Sequence, residues 1–269
     1  MPTARSIAML PGVTPVHADV HQPEQLQTLV RSQDAVLNLI AILHGSQAEY
    51  DHVHVALPNK LAQACLAEGV SRLVHVSALG ADVHGPSMYQ RSKAHGELTL
   101  LEAAQRDNLQ LTLLRPSVIF GSDDKFINLF AKLQKVFPIL PLAGASTRFQ
   151  PVWVQDVAQA LVHCLENPAS TAGQVFEACG PEVWTLRQLV QHAGRWAGCP
   201  RPVLPLPDAV GRLQALLMEW APGPTLMSRD NLDSMKVDNV ASGRLPGLQA
   251  LGIEAPNTLQ QVFPIPSHP

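Results

Sequence analysis

The segment "SRLVHVSAL", residues 71–79, is a largely apolar run that ends in Ser77, Ala78 and Leu79. Comparable segments are "GVTPVHADV" (12–20), "DAVLNLIAI" (34–42) and "LQLTLLRPSVIF" (109–120). Three of these four have near-continuous apolar centres, which is typical of strands buried on both faces of a parallel sheet. We therefore interpret all four segments as strands.

Segments with helical periodicity separate these strands. Apolar residues recur at three- and four-residue spacing in residues 23–32, 47–69 and 87–107. Pro23 suits a first helical turn, and Gly69 suits a C-terminal cap before the next strand. Strands that alternate with helices predict an α/β fold with a Rossmann-like, doubly wound parallel sheet.

Beyond residue 122 the pattern is less regular. It predicts helices in residues 124–137, 155–168 and 185–198, the last with Thr185 as its N-cap, and short strands in "RFQPVWV" (148–154) and "QVFEACG" (174–180). We expect a nucleotide-binding domain in residues 1–122 and a smaller mixed α/β lobe in residues 123–269. Within that lobe, the 149–180 segment should return to the main sheet.

Composition excludes several classes of function. The chain is 46% hydrophobic and 15% charged with a net charge of −3, which fits a globular protein and disfavours nucleic-acid binding. Its longest apolar run, "AVLNLIAIL", is too short to span a bilayer, so we expect no membrane span and a cytoplasmic location. The four cysteines are widely spaced, as free thiols in a reducing compartment are.

The segment "PSMYQRSKAHGE", residues 86–97, contains a candidate acid/base pair. Tyr89 and Lys93 are four residues apart on a predicted helix, so both can face one cleft. A neighbouring ammonium lowers the pKa of a tyrosine, which would make Tyr89 a usable proton donor or acceptor. Ser77, at the carboxyl end of its strand, could hydrogen-bond a substrate oxygen nearby, although a turn-capping role is the ordinary alternative.

Histidines and one helix have alternative interpretations. His17, Asp19 and His21, or His52 and His54, could suggest a metal site, but no further ligands complete a set. We therefore expect no metal and treat these histidines as surface or core residues. The helix predicted in residues 208–220 has an apolar stripe that could bind a partner or membrane, yet packing within its own lobe is the preferred interpretation.

The order of these motifs resembles a known superfamily. Ser77, the Tyr89–Lys93 spacing, "LRPSVIFG" (114–121) and "FQPVWVQDVAQAL" (149–161) resemble the extended and atypical short-chain dehydrogenase/reductases, the NAD-dependent epimerase/dehydratase type. "VHVSALGAD", "LRPSVIFG" and "LMSRDNLDSM" look most like bacterial relatives of the NAD(P)H-binding accessory subunit of respiratory complex I. The resemblance covers nearly the whole chain.

This resemblance implies a cofactor, NAD or NADP, and a role for each matching residue. Tyr89 would be the acid/base, Lys93 would hold the nicotinamide ribose and tune Tyr89, and Ser77 would orient a substrate carbonyl. Asp19 would bind the adenine amine with Val20 beside it, and His54 stands where many relatives have an asparagine. The residues implied to line the cofactor from the strand ends are Leu39, Ile40, Ala41, Val76, Pro116, Ser117, Val118 and Ile119.

The sequence also departs from this superfamily at its start. No glycine-rich turn for a pyrophosphate precedes "HADV", and "MPTARSIAMLPGV" looks like the end of a second strand. We expect the chain to be a truncated form of a longer protein, and we expect "GVTPVHADV" to lack strand neighbours on both sides. A strand without hydrogen-bonding partners cannot offset the entropy lost on ordering it.

Two functions remain open at the level of sequence. The first is an NAD(P)-dependent oxidoreductase or epimerase/dehydratase that uses Ser77, Tyr89 and Lys93 on an unidentified small molecule. The second is a non-catalytic nucleotide-binding accessory subunit or assembly factor of a respiratory or quinone-related complex, which could be peripheral at the inner membrane. A third possibility is a defunct domain that binds no cofactor.

Overall fold

The computed structural model describes residues 9–220 and 227–266. Its helices and strands alternate through the first half of the chain and become shorter in the second half. In chain order they are helix α1 (Pro23–Val30), strand β1 (Ala35–Asn38), α2 (Gln47–Asp51), a π-helical turn (His52–Ala56), α3 (Leu57–Ala67), β2 (Arg72–Val76), α4 (Met88–Asp107), β3 (Gln110–Pro116), β4 (Ile119–Phe120), α5 (Ile127–Val136), β5 (Leu140–Leu142), β6 (Arg148–Phe149), β7 (Val152–Trp153), α6 (Val154–Glu166), α7 (Pro168–Thr171), β8 (Val175–Ala178), β9 (Trp184–Thr185), α8 (Leu186–Trp196), β10 (Val203–Pro205), α9 (Asp208–Trp220), α10 (Arg229–Ser234), a 3₁₀ turn (Leu248–Leu251) and α11 (Leu259–Val262).

The main sheet is parallel and has the strand order β1-β2-β3-β8. Helices α1, α3 and α4 cover one face, where Leu73 of β2 packs in their core. Helix α6 covers the other face, where Val74 of β2 packs. Successive strand residues point to opposite faces, so β2 is buried on both faces. The doubly wound α/β fold expected from the sequence is confirmed.

The strand interpretation of residues 12–20 is wrong. Residues 13–19 form no strand, and β1 pairs only with β2, so nothing within the described ranges lies beside this segment in a sheet. Its backbone groups gain no ladder hydrogen bonds, which agrees with the expected lack of strand neighbours. Residues 1–8, part of the segment interpreted as the end of a second strand, lie outside the described residues.

The later part of the chain combines short strand pairs with helices. The single strand expected in residues 148–154 is instead two strands, β6 and β7, separated at Gln150 and Pro151, which pair with β9 and β4 respectively. Helix α8 begins at the expected cap, where Thr185 Oγ1 accepts a hydrogen bond from the Gln188 N–H. Strand β8 pairs with β3 in the main sheet. The division of the chain near residue 122 stays a prediction.

Helix α9 forms where the sequence predicts it, but its apolar stripe is largely exposed. Only the small residues Gly211 and Ala215 are buried, whereas Val210, Leu213 and Leu217 are about half-exposed. The expectation that this stripe packs within its own lobe is therefore wrong for its larger residues. Within the described ranges, no helix combines the length and hydropathy needed to span a bilayer.

Candidate functional site

The carboxyl ends of β1, β2 and β3 meet at one edge of the sheet. Leu39–Ala41 follow β1 and are exposed, Val76 ends β2 and is followed by the buried Ser77, and Pro116–Ile119 follow or end β3. Parallel strands in register place these segments side by side, at the edge where open α/β sheets bind ligands. The structure thus brings together the strand-end residues that the resemblance assigned to a cofactor.

Asp19 and Val20 lie farther along the free side of β1. Val20 lines a groove of about 280 Å³ together with Asn38 and Ile40. The exposed Asp19 carboxylate accepts a hydrogen bond from the His21 N–H at 2.9 Å, which lowers the pKa of Asp19. Val20 therefore places this segment at the border of the groove. The Asp19 carboxylate forms its hydrogen bond within the segment, to the His21 N–H.

Two interactions fix the start of helix α4, which carries Tyr89 and Lys93. Ser87 is the N-cap, and its Oγ accepts a hydrogen bond from the Gln90 N–H at 3.1 Å. Asp230, from the later part of the chain, accepts hydrogen bonds from the Met88 N–H at 2.6 Å and the Tyr89 N–H at 3.1 Å. A carboxylate at a helix N-terminus satisfies free N–H groups and complements the helix dipole.

Lys93 is a buried cation beneath the sheet edge. Its side chain is 1% exposed, and its Nζ donates a hydrogen bond to the Val76 carbonyl at 2.9 Å. Burial lowers the pKa of Lys93 to about 8, and the nearby Glu97 carboxylate opposes that shift. With one acceptor among the described residues, the three-donor ammonium retains N–H groups for a ligand.

Tyr89 packs against two aromatic rings. Its ring meets those of His54 and Tyr50 edge-on, with centroids 5.6 and 6.2 Å away. Burial raises the pKa of Tyr89 to about 12, the reverse of the shift expected from a neighbouring ammonium. The physical reason is that desolvation disfavours the phenolate, while the Lys93 ammonium is bonded to the Val76 carbonyl.

Ser77 fits a ligand-binding role because its hydroxyl is buried without a protein partner. The residue is 5% exposed, and its backbone N–H donates to the Leu114 carbonyl at 2.7 Å, continuing the sheet ladder. Its Oγ has no hydrogen bond to the described residues. Buried hydroxyls are normally satisfied, so this one is a candidate to bind an external group.

His54 lies in the π-helical turn and is a neutral structural residue. Its Nε2 accepts a hydrogen bond from the Ile42 N–H at 3.1 Å, so its proton is on Nδ1, which lies 2.9 Å from Ser92 Oγ. Burial lowers the pKa of His54 to about 3, and the Lys93 ammonium adds to the shift. Helix α4 packs closely on this turn at Gly96, which has no side chain. A Cβ placed there would lie 1.9 Å from the His54 carbonyl oxygen.

Four polar residues at this edge were not identified from the sequence. Asn38 and His75 are buried and bonded to each other, Asp230 caps α4, and Asn239 accepts a hydrogen bond from the Ser117 hydroxyl at 2.6 Å. The polar residue inside each apolar strand, Asn38 and His75, was a usable signal. Asp230 and Asn239 come from distant sequence positions, and nothing local indicated their partners.

The histidines considered as metal ligands do not converge on a metal-like arrangement. His21 and His52 stack, with ring centroids 3.8 Å apart. Across the described ranges, no three His, Cys, Asp or Glu side chains form a group that could hold a metal ion.

The family model for the NAD dependent epimerase/dehydratase family matches residues 2–179. The chain belongs to this family. The superfamily assignment made from the sequence is thereby confirmed. Its resemblance to complex I subunits is confirmed by two relatives. A mouse protein named NADH dehydrogenase (ubiquinone) 1 alpha subcomplex subunit 9, mitochondrial, is 30% identical over 88% of this chain and 62% of its own length. The Arabidopsis thaliana protein of the same name is 27% identical over 90% of this chain and 62% of its own.

A solved structure shares the fold. The UDP-glucose 4-epimerase of Thermus thermophilus, in complex with NAD, has a TM-score of 0.64 and 22% identity, covering 85% of this chain and 86% of that one. At this identity the likeness concerns the fold alone. The chain spans 62% of the length of the two curated relatives.

Proposed function

We propose that this chain binds a nicotinamide dinucleotide, NAD or NADP, at the carboxyl edge of the β1-β2-β3 sheet. The observation that supports it is that the buried Lys93 ammonium bonds to the Val76 carbonyl, next in the chain to Ser77, whose buried hydroxyl has no partner among the described residues. These groups suit the hydroxyl-rich nicotinamide riboside end of such a cofactor. The described residues include no glycine-rich strand-to-helix turn for the pyrophosphate, so that end is assigned to no residue.

The chemistry proposed for this site is that of an oxidoreductase or an epimerase/dehydratase. A bound nicotinamide would supply or accept a hydride. Ser77 would orient a substrate oxygen by hydrogen bonding, and Tyr89 would hold a proton at its phenolic oxygen. Because burial raises the pKa of Tyr89 to about 12, it is suited to donate a proton rather than to remove one at neutral pH.

Nucleotide identification tests this proposal directly. We expect heat-denatured, freshly purified protein to release NAD(H) or NADP(H), measured by mass spectrometry, and the protein to bind NADH or NADPH in fluorescence titrations. Loss of a hydrogen bond to a charged donor costs about 1.5–3 kcal/mol, so Lys93→Gln should weaken binding about tenfold or more. Lys132→Gln, which removes an exposed lysine, is the matched control. Absence of binding to both nucleotides would reject the proposal.

A second candidate is a non-catalytic accessory subunit or assembly factor of NADH:ubiquinone oxidoreductase. Two observations favour it: the names of the mouse and Arabidopsis relatives, and the exposed apolar face of α9. That face carries Val210, Leu213 and Leu217 at helical spacing, which would suit a protein subunit with a matching apolar surface. Its site of action would then be the surface of the inner membrane, as a peripheral component.

Tyr89→Phe separates the two candidates. It removes only the phenolic oxygen and retains the ring that packs on His54. For an enzyme, we expect nucleotide binding to persist while turnover of carbonyl substrates disappears. For an accessory subunit, we expect wild type to show no turnover, Tyr89→Phe to leave assembly of the respiratory complex unchanged, and Leu213→Asp to impair it.

A further inference from the structure

The side chain of His75 is buried near the carboxyl end of β2 and bonded on one side to Asn38. Asn38 Oδ1 accepts a hydrogen bond from the Ile40 N–H at 3.1 Å, which orients the amide so that Nδ2 faces His75 Nδ1 at 3.0 Å. Since Nδ2 is a donor, Nδ1 must be the acceptor. A neutral His75 therefore carries its proton on Nε2.

Electrostatics keep this imidazole neutral. Burial holds the pKa of His75 well below its usual value, and the Lys93 ammonium and the His54 ring act in the same direction. The described charged or titratable groups around it are Lys93 on α4 and His54 in the π-helical turn. His75 consequently presents a fixed Nε2–H donor at neutral pH.

That donor has no partner among the described residues. His75 is 2% exposed, and its Nε2 and the Ser77 Oγ are both buried and unbonded. Residues 75 and 77 alternate along β2 and so point to the same face, the one covered by α4. Between them, the Val76 carbonyl accepts only one of the three hydrogens of the Lys93 ammonium.

The free hydrogen-bonding capacity of His75, Lys93 and Ser77 determines which kind of atom can bind to all three. His75 Nε2–H and the Lys93 ammonium are donors without acceptor capacity, so their common partner must offer lone pairs. The Ser77 hydroxyl can donate or accept. One oxygen atom of a hydroxyl group or of water accepts from both donors and gives its own proton to Ser77. Buried water commonly makes about three such bonds to otherwise unsatisfied groups.

We propose that His75 is a binding residue that forms, with Lys93 and Ser77, a deep subsite for one hydroxyl-type oxygen. The oxygen comes either from a hydroxyl of the bound nucleotide or substrate or from an internal water molecule. Its chemistry is the same in both cases, and His75 extends the subsite two residues back along the chain from Ser77. If the oxygen belongs to a ligand, the subsite rests on the proposed function. If it belongs to a water molecule, it does not.

High-resolution crystal structures of the full chain, with and without NADH, test the subsite and separate its two sources. Electron density for an oxygen within hydrogen-bonding distance of His75 Nε2, present in both crystals, identifies water. Density that belongs to the nucleotide and appears only with NADH identifies a ligand hydroxyl. A His75 Nε2 that has no oxygen neighbour in either crystal, or that bonds to a protein group, would overturn the proposal.

His75→Phe, which retains ring volume and removes both nitrogens, provides the functional measurement. For a ligand hydroxyl we expect NADH affinity to fall about fivefold, the effect of one lost hydrogen bond. The matched control is His192→Phe, because His192 is an equally buried histidine whose Nε2 is satisfied by the Phe263 carbonyl. Its NADH affinity should match that of wild type.

The two proposals can fail separately. If wild type binds neither NADH nor NADPH but its crystal shows the oxygen at His75, the subsite stands and the proposed function falls. If wild type binds NADH, no oxygen is found at His75 and His75→Phe binds like wild type, the proposed function stands and the subsite falls. The electron density of the wild-type crystals is enough to decide whether the subsite exists. The test therefore does not depend on whether His75→Phe folds well.

Discussion

Lys93 is a buried titratable residue whose protonation should affect the stability of the fold. Its pKa is lowered from 10.5 to about 8 in the folded protein, so between these values the unfolded chain binds more protons. Stability rises with pH wherever the unfolded state binds more protons, so this contribution should grow from pH 8 to about 10.5. Below pH 8 the buried charge costs the folded state about 3 kcal/mol at most.

We predict that Lys93→Met stabilises the protein at pH 7 while weakening nucleotide binding about tenfold or more. An apolar side chain of similar length removes the desolvation cost of the ammonium. The measurement is the free energy of unfolding in urea at pH 7 and pH 9.5, for Lys93→Met and for the exposed control Lys132→Met. The stabilisation should shrink at the higher pH. A variant less stable than wild type at both pH values would contradict the prediction.

His54 should produce a pH dependence of the same sign in a lower pH range. Its pKa is lowered from 6.5 to about 3, so the unfolded state gains a proton as pH falls through 6.5 and the folded state is destabilised. We predict that His54→Asn makes the loss of stability between pH 6.5 and pH 4 shallower. His95→Asn, an exposed change on α4, should retain the wild-type slope in urea unfolding. Parallel curves for wild type and His54→Asn would refute this account.

At the level of single residues, sequence reasoning located the candidate groups but not their electrostatics. Tyr89, Lys93 and Ser77 were found because their spacing implies one helix face and one strand end. The raised pKa of Tyr89 could not be inferred, because it depends on how deeply neighbouring rings bury the phenol. Burial is a property of the packed structure, and i,i+4 spacing does not report it.

At the level of elements, Gly96 allows α4 to pack directly on the π-helical turn. A Cβ at this position would lie 1.9 Å from the His54 carbonyl oxygen, a backbone atom that cannot move away cheaply. We predict that Gly96→Ala lowers the free energy of unfolding by about 3 kcal/mol, through overpacking that separates α4 from the turn. The measurement is urea denaturation.

Gln105→Ala is the control for this substitution, since Gln105 is exposed on the same helix. Its stability should stay within about 0.5 kcal/mol of wild type, as is usual for surface changes. Equal stability of Gly96→Ala and Gln105→Ala would show that the close approach is not required.

Helices with local signals could be predicted from the sequence, whereas strands that depend on distant partners could not. Helices α1, α4 and α8 follow from local periodicity and caps, such as Thr185 at the start of α8. Residues 12–20 have the composition of a strand but form none, because pairing depends on neighbours that a local pattern cannot supply. The division of 148–154 into β6 and β7 likewise depends on their separate partners, β9 and β4.

At the level of the whole molecule, Asp230 connects the later part of the chain to the helix that carries the candidate site. Its carboxylate is buried, accepts the Met88 and Tyr89 N–H groups, and lies 3.4 Å from the Tyr50 hydroxyl. Three distant segments of sequence therefore meet at one negative charge. The sequence showed the motif "SRDN" but not this contact, because 141 positions separate Asp230 from Tyr89.

We predict that Asp230→Asn weakens both stability and nucleotide binding. The amide keeps the shape of the side chain but loses the charge, and it turns one acceptor toward the helix N-terminus into a donor. The expected loss is about 1–3 kcal/mol of unfolding free energy, as for other buried hydrogen bonds to charged groups. Affinity for NADH should fall with it, because the first turn of α4, which holds Tyr89, loses the carboxylate that accepts its Met88 and Tyr89 N–H groups.

Asp233→Asn isolates the effect of position, because Asp233 lies on the same short helix and forms surface ion pairs with Arg212 and Lys236. Exposed ion pairs contribute less than about 1 kcal/mol, so this variant should remain close to wild type in both measurements. If the two variants lose stability equally and both keep wild-type affinity for NADH, the contacts of Asp230 contribute no more than the surface ion pairs of Asp233. In that case the later part of the chain does not position the site, and the order of the first turn of α4 must come from Ser87 and Gln90 alone.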